Sequence, residues 1–454
     1  MTLYNDSYAC QNQQPDGGAT IGKMLGGSGG LDHLIHVTPS KNDFIRWAIA
    51  ANDSSWGYEK MIKYFVKSEN VKDEAVLAQN TSLHGTDGPN DADGNCLINP
   101  LLTIGDGKRQ EGNVAYLSKA KNRKNLYVLT NASVTKINFN CTMATGVQYK
   151  FNGTTYTANA TNSVIIAAGA IKTPQLLMLS GVGNTSTLSN LGIETVVDNP
   201  HVGQHLKDHL GAIFFIALNN STVTAPAADP SEFPAQLVVN RAGLNTSSSE
   251  LDVLEIFLFF PPNSTGLLNL CTNTFKYSDK VCDTFYAINK KKNTLYVTAN
   301  LMRPMSEGSV NPKTADMKDQ PEVKLGLMSN SADLDKFAQR LFQYVGPLLN
   351  TTSLQNLGAE FVDLGLCKNH TKFSLEFWKC YIVAMSTTFW HYVSTCAVGK
   401  VVDAKFNVMG TANLKIVDAS VIPELISGKV GSYVRAVAEK AADIIKIEDG
   451  CCST

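Results

Sequence analysis

The run Ser163-Val164-Ile165-Ile166-Ala167-Ala168-Gly169-Ala170-Ile171-Lys172-Thr173-Pro174-Gln175-Leu176-Leu177-Met178-Leu179-Ser180-Gly181 decides how this chain folds. Its first six residues are almost continuously apolar, the pattern of a strand buried on both faces of a parallel sheet. Thr173 suits a helix N-cap, Pro174 the first helical position and Gly181 the stop. A buried strand that turns tightly at Gly169-Ala170 into a short helix is half of a nucleotide-binding α/β unit.

Upstream of it, the short runs Leu126–Leu129, Val134–Phe139, Thr145–Phe151 and Thr154–Ala158 often alternate apolar with polar residues. Asn152-Gly153 is a tight-turn signal between two of them. They predict a small antiparallel meander. Nearer the N-terminus, Tyr58–Ser68 carries Met61, Ile62, Tyr64 and Phe65 at roughly helical spacing, and His84–Asn90 reads as a loop. Downstream, about 211–380 mixes strand-like alternation with helical stretches such as Ala332–Leu349. The last helix is expected to place Val434, Val437, Ala438, Ala441 and Ile445 on one face.

At 454 residues the chain is too long for one hydrophobic core, so two domains are expected. Lys plus Arg is 39 against Asp plus Glu at 40, which gives no basic field for nucleic acid. No apolar run reaches the roughly 18–20 residues needed to span a bilayer. The ten cysteines include no CxxC pair, while Cys271/Cys282 and Cys367/Cys380 each flank a short segment and are candidate disulfides. There are fourteen Asn-X-Ser/Thr sequons, among them Asn80, Asn131, Asn152, Asn245, Asn263, Asn350 and Asn369. They predict an exported, glycosylated protein, although Met1–Asp6 have neither the basic nor the apolar region of a signal peptide.

Five segments in order resemble the glucose–methanol–choline (GMC) oxidoreductase family. Gly22–Leu31 is similar to its glycine-rich flavin-contacting signature, and Gly169–Gly183 to its second signature. Asn199–His209 resembles the segment that follows. His391–Gly399 resembles the catalytic-histidine motif, and Lys415–Pro423 the C-terminal flavin-contacting strand and turn. Trp47, Ala48, Gly57-Tyr58 and Lys67-Ser68-Glu69 look most like insect members, with glucose-dehydrogenase-like and ecdysone-oxidase-like enzymes the nearest comparisons.

The resemblance implies an α/β (α+β) protein: a doubly wound FAD-binding domain, and an antiparallel-sheet substrate domain backed by helices. The expected division assigns 1–35, 110–212 and 385–454 to the FAD-binding domain, and 36–109 and 213–384 to the substrate domain. It also implies FAD as cofactor, a small alcohol, sugar or steroid as substrate, and hydride transfer to the flavin, with oxygen or another acceptor taking the electrons. His391 aligns with the base, and an imidazole suits that task because its pKa lies near working pH. Gly26, Gly27 and Ser28 would bring backbone N–H groups to the flavin. Asp32 stands where the family has Asn or His. Val134 aligns with the adenine-contacting position, and Asp418 and Ala419 with the turn near the pyrophosphate; Asp418 also suits an N-cap.

The second catalytic position aligns with Gly431, which has no side chain to donate or accept; Ser432 or Lys429 are the neighbours that could compensate. Cys396 reads as a packing residue. His201, His205 and His209 are spaced i, i+4, i+8, but no acidic partner pattern surrounds them, so no metal site is expected. The family's opening strand, G-x-G-x-x-G turn and helix is not found in the sequence, so the FAD-binding domain is expected to be incomplete as given. That gap, Asp32 and Gly431 support an alternative reading as a catalytically degenerate secreted glycoprotein; a lyase activity on the same scaffold has no specific support.

Overall fold

The computed structural model describes residues 20–36, 40–69, 96–98, 101–105, 108–219, 236–242 and 252–450. The expected loop at His84–Asn90, the sequons at Asn80 and Asn245 and the tail cysteines lie outside these residues. In chain order the elements that build the site begin with α1 (Lys41–Ala51), α2 (Tyr58–Ser68) and β1 (Cys96–Ile98). The meander follows as β2 (Ser133–Asn140), β3 (Met143–Phe151) and β4 (Thr154–Asn159), then β5 (Val164–Ile166) and α3 (Gly169–Leu179). Next come β6 (Leu210–Leu218), β7 (Gln236–Ala242), β8 (Val253–Phe260) and β9 (Asn293–Leu301). The chain continues through α4 (Ser331–Leu349), β10 (Ala359–Phe361), α5 (Leu375–Met385), β11 (Ser386–Thr388), β12 (Leu414–Ile416) and α6 (Val430–Glu448).

Two hydrophobic cores organise these elements. One lies between a seven-stranded sheet and the helices α4 and α5. The sheet runs β10-β6-β9-β8-β7-β1, with β11 also on β6, and every pairing is antiparallel. Strand β6 is buried along its whole length, so it reads as the continuous apolar run Leu210–Leu218 and not as an alternation. Disulfides Cys271–Cys282 and Cys367–Cys380 close short segments beside this core, as their spacing suggested.

The second core gathers α3, α6 and the parallel pair β5–β12, registered Val164↔Leu414 and Ile166↔Ile416. Helices α1 and α2, expected with the sheet domain, pack into this core: Phe44, Trp47, Trp56 and Phe65 surround Tyr433 of α6 and its neighbours. The expected face of α6 is corrected by about one position. Tyr433, Ala436, Val437, Lys440 and Ala441 are buried while Ala438 is exposed, because Lys440 reaches inward to the carbonyl of Ser55 at 2.6 Å and covers Trp56.

Three local expectations also change. The run Leu126–Leu129 forms no strand, and Tyr127 is 89% exposed, because no described strand lies beside it to pair. Strand β5 buries Val164 and Ile166 but leaves Ile165 46% exposed, because among the described residues β12 alone pairs with it and nothing covers the face that carries Ile165. Helix α3 begins at Gly169 (φ 82°), so Thr173 and Pro174 sit inside it. Thr173 still serves the helix start, accepting from the Ala168 amide at 3.2 Å. Pro174 lacks the N–H that would bond the carbonyl of Ala170. The hydroxyl of Thr395 donates to that carbonyl at 2.6 Å, which fastens the catalytic-motif loop to α3.

Candidate active site

The loop after β11 carries His391, and the segment entering β6 carries Asp208 and His209. Pairing of β6 with β11 brings the two together across 182 positions of sequence. The buried Asp208 carboxylate accepts from the His391 amide at 2.9 Å and from the Thr388 hydroxyl, so it fixes the loop that presents the imidazole. Burial pushes the Asp208 carboxyl up to about 6. Gly211 on β6 leaves room for Phe389: a Cβ there would lie 1.8 Å from its ring. Phe389, Trp390 and Phe275 form an aromatic wall, with Phe275 5.3 Å from Trp390 and 5.8 Å from Phe389 between ring centroids.

His209 is fully buried and fixes the tautomer of His391. Its Nε2 faces two carbonyl oxygens, Met302 at 3.1 Å and Ile426 at 3.0 Å, so Nε2 carries the proton. Burial, then the Lys429 charge, brings the His209 pKa down to about 3 and keeps the ring neutral. Its Nδ1 is therefore an acceptor, and it stands 2.7 Å from Nδ1 of His391. His391 must donate from Nδ1, which leaves its Nε2 lone pair unprotonated. Burial first, then the Lys429 charge, holds the His391 pKa well below the usual imidazole value, with His209 and His33 adding to the shift. The ring is a neutral base over the whole physiological range.

His209 was given no role by sequence reasoning; the Asp208-His209 pair within Asn199–His209 was the available signal. His201 and His205 form a separate surface pair with Glu307: His201 Nδ1 is 3.1 Å from His205 Nε2, whose Nδ1 is 2.6 Å from the Glu307 carboxylate. No group of three or more metal-ligating side chains occurs among the described residues. Replacing His209 with phenylalanine keeps the ring volume but removes the acceptor. Expected is a roughly 10- to 100-fold lower kcat/KM. Unchanged kinetics in a folded variant would remove His209 from the site.

The loop bearing Ile426 is held by α1. Asp43 is buried, completes a capping box with Ser40, pairs with Arg46 and accepts from the Ser427 amide at 3.2 Å and hydroxyl at 3.1 Å. The Trp47 indole donates to the Glu424 carbonyl at 2.9 Å. Lys429 follows as the residue before α6, half-buried, with its ammonium 5.0 Å from the centre of the Phe389 ring. Gly431 lies in the first turn of α6, where a Cβ would come 3.5 Å from Asp32 Oδ2. The Asp32 charge is matched: Arg109 donates to its carboxylate and to its carbonyl, each at 2.7 Å.

The residues expected at a flavin occupy three nearby turns. Gly26 and Gly27 have φ of 91° and 60°, and Ser28 accepts from the Gly22 amide at 3.1 Å. Asp418 caps the short turn Ala419–Val421, as expected, and binds the amide of Gly169 at 2.8 Å and the Thr173 hydroxyl at 2.6 Å. Val134 lies on β2 against the second core. Gly27 and Gly169 combine left-handed backbone with open space where a Cβ would stand, as needed by backbone that abuts a bound cofactor. These turns fit the flavin end of FAD. Cys396 is buried, and burial pushes its thiol well above the usual value, in keeping with a packing role.

Comparison with known proteins finds family models and relatives along most of the chain. The N-terminal GMC oxidoreductase model matches residues 5–211 and the C-terminal one residues 304–438. The ecdysone oxidase of Bombyx mori is 31% identical over 482 residues, covering 94% of this chain and 70% of that protein. The ecdysone oxidase of Spodoptera littoralis is 28% identical over 471 residues, covering 94% and 78%. Among solved structures, pyridoxine 4-oxidase from Mesorbium loti superposes with a TM-score of 0.74 at 21% identity, covering 93% of this chain and 84% of that one.

Proposed function

The chain belongs to the GMC oxidoreductase family, and on that premise we propose that it oxidises the CH–OH group of an apolar alcohol with His391 as base. FAD is the family's cofactor and, when bound, accepts the carbon-bound hydrogen as hydride. The observation that carries the reading is the His209–His391 pair. It leaves a neutral imidazole with one free lone pair beside an aromatic wall, so Nε2 can take the hydroxyl proton while the carbonyl forms. Gly26, Gly27, Ser28, Asp32, Val134, Asp418 and Ala419 are the residues proposed to hold the cofactor. The two cores support the proposed domain division in outline, with α1 and α2 moved to the flavin side, while Ala170, Ile171, Leu206 and Phe389 of the flavin-side segments pack into the sheet core.

Two relatives carry the name ecdysone oxidase, and the wall of Phe275, Phe389 and the partly exposed Trp390 beside His391 is apolar, which suits a fused-ring alcohol. Ecdysone is therefore the first probe. Incubation should yield a product lighter by two hydrogen atoms in mass spectrometry. A flavin-loaded protein that leaves ecdysone and simpler alcohols intact would favour the alternative, a silent glycoprotein whose loss is marked by Gly431. In that case Gly431→Asn should restore turnover.

Export of the protein is also proposed. Two disulfides support it, and so do the exposed sequon asparagines Asn131, Asn152, Asn263, Asn350 and Asn369. Among the described residues no helix is long and apolar enough to cross a membrane. Enzymatic deglycosylation of the native protein should lower its mass by several glycans; an unchanged mass would refute this reading.

A further inference from the structure

We propose that Lys429 is a second catalytic residue, whose ammonium donates a hydrogen bond to the substrate oxygen as that oxygen gives its proton to His391. The inference rests on the reading of His391 as base. It assigns to Lys429 the task that Gly431 has no side chain to perform.

Position is the first argument. Lys429 ends the loop that His209 grips through the Ile426 carbonyl, and it is the N-cap residue of the 19-residue helix α6. Its ammonium lies over Phe389, whose ring centre is 6.3 Å from that of His391. Gly431 is turned elsewhere, toward the Asp32–Arg109 pair.

Valence is the second argument. Among the described residues the Lys429 ammonium makes no ion pair and no side-chain hydrogen bond; it is half-buried against an aromatic face with its N–H donors uncommitted. A structural lysine in such a place normally takes a carboxylate partner, as Lys207 does with Glu424 at 2.6 Å. The carboxylates around Lys429 are committed to other groups. Asp208 serves Thr388 and the His391 amide, and Asp32 serves Arg109. They hold the ammonium charged from a distance without quenching its donors.

Electrostatics agrees with the geometry. Lys429 is the leading charge acting on His391 and on His209, and it also acts on His33. It keeps the base unprotonated and is a cation against which a developing alkoxide is stabilised. Burial brings Lys429 itself down to about 8, with Asp208 and Asp32 opposing that shift. The step balances without consuming Lys429: the O–H proton goes to His391 Nε2, the C–H hydrogen leaves as hydride to FAD, and the C=O bond forms.

The test compares Lys429→Met, Lys429→Arg and His391→Asn in the flavin-loaded protein with ecdysone. Lys429→Met should lower kcat about 100-fold, within the range for loss of one charge-stabilising donor, with KM little changed. It should also abolish a fall in kcat/KM above about pH 8. Lys429→Arg should keep most of kcat and lose the same limb, since guanidinium does not titrate there. A second readout needs no turnover. Reductive methylation with 13C-formaldehyde should give a dimethyl-lysine NMR signal with a midpoint near 8 that disappears in Lys429→Arg, while the signal of Lys440, which burial also brings down to about 8, remains. Wild-type kcat in Lys429→Met, a defect confined to KM, or a Lys429 signal that titrates with surface lysines near about 10.4 would overturn the proposal. If His391→Asn is inactive while Lys429→Met is not, this inference alone fails. An active His391→Asn would remove the base reading beneath it.

Discussion

His391→Asn lowers kcat/KM for the alcohol by about 100- to 10,000-fold, the usual contribution of a positioned general base. The introduced carboxamide keeps a polar group near His209 but has no lone pair basic enough to take an alcohol proton. The backbone anchor to Asp208 survives, since it uses the main-chain amide at this position. Folding and flavin content should therefore match the wild type, and the loss should fall on kcat. The pH profile gives an independent check. A base whose pKa lies well below the usual imidazole value is already unprotonated in mild acid. Below the Lys429 limb, wild-type kcat/KM should therefore stay level as pH falls from about 7 to about 6, through the region where an ordinary imidazole with pKa about 6.5 would be losing its free base. A drop centred near that value would mean that His391 is not held neutral by its surroundings.

Asp418→Ala destabilises the protein by about 3–5 kcal/mol, the cost of deleting one member of a buried charged network. Asp418 is 7% exposed and accepts from the amides of Gly169 and Ser420, each at 2.8 Å, and from the hydroxyls of Thr173 and Ser420 at 2.6 and 2.5 Å. It joins the turn after β12 to the turn between β5 and α3, so its loss orphans backbone donors on both. Asp418→Asn keeps an acceptor and should recover part of the stability. The midpoint of urea unfolding, at constant slope, measures both. A midpoint for Asp418→Ala equal to wild type would show that these turns do not depend on the carboxylate.

The sequence exposed the fold where periodicity and turn chemistry act locally. Asn152 and Gly153 adopt φ of 50° and 82° and join β3 to β4 as the dipeptide demands. Helix α4 starts within one residue of its expected bound. Local reading failed where a distant partner decides. Pro174 survives inside α3 only because Thr395 takes up the carbonyl it leaves free. Leu126–Leu129 has strand-like residues but no described neighbour.

The site shows the same division. His391 was legible because its motif is contiguous. Its partner was hidden, because His201, His205 and His209 share a spacing but no helix. His205 has φ 60°, the segment passes from a turn at His201–Gly203 into bridged, non-helical chain, and His209 runs inward while the other two stay at the surface with Glu307. Pairing of His209 with His391 arises from β6–β11 register, which no spacing within either segment reports. The Asp32 charge, unfavourable beside a flavin when taken alone, is matched by Arg109 some 77 positions away. Lys429 and Gly431 lie two residues apart, and only the start of α6 separates the one near the histidines from the one facing Asp32.

The most direct test of the central claim is anaerobic mixing of the flavin-loaded protein with ecdysone while the flavin absorbance is followed. An FAD-dependent alcohol oxidoreductase with a neutral His391 base predicts bleaching of the wild type, at a rate lowered about 100-fold or more in His391→Asn. A yellow protein that keeps its colour with ecdysone and with simpler alcohols, or that bleaches equally fast without His391, would contradict the account.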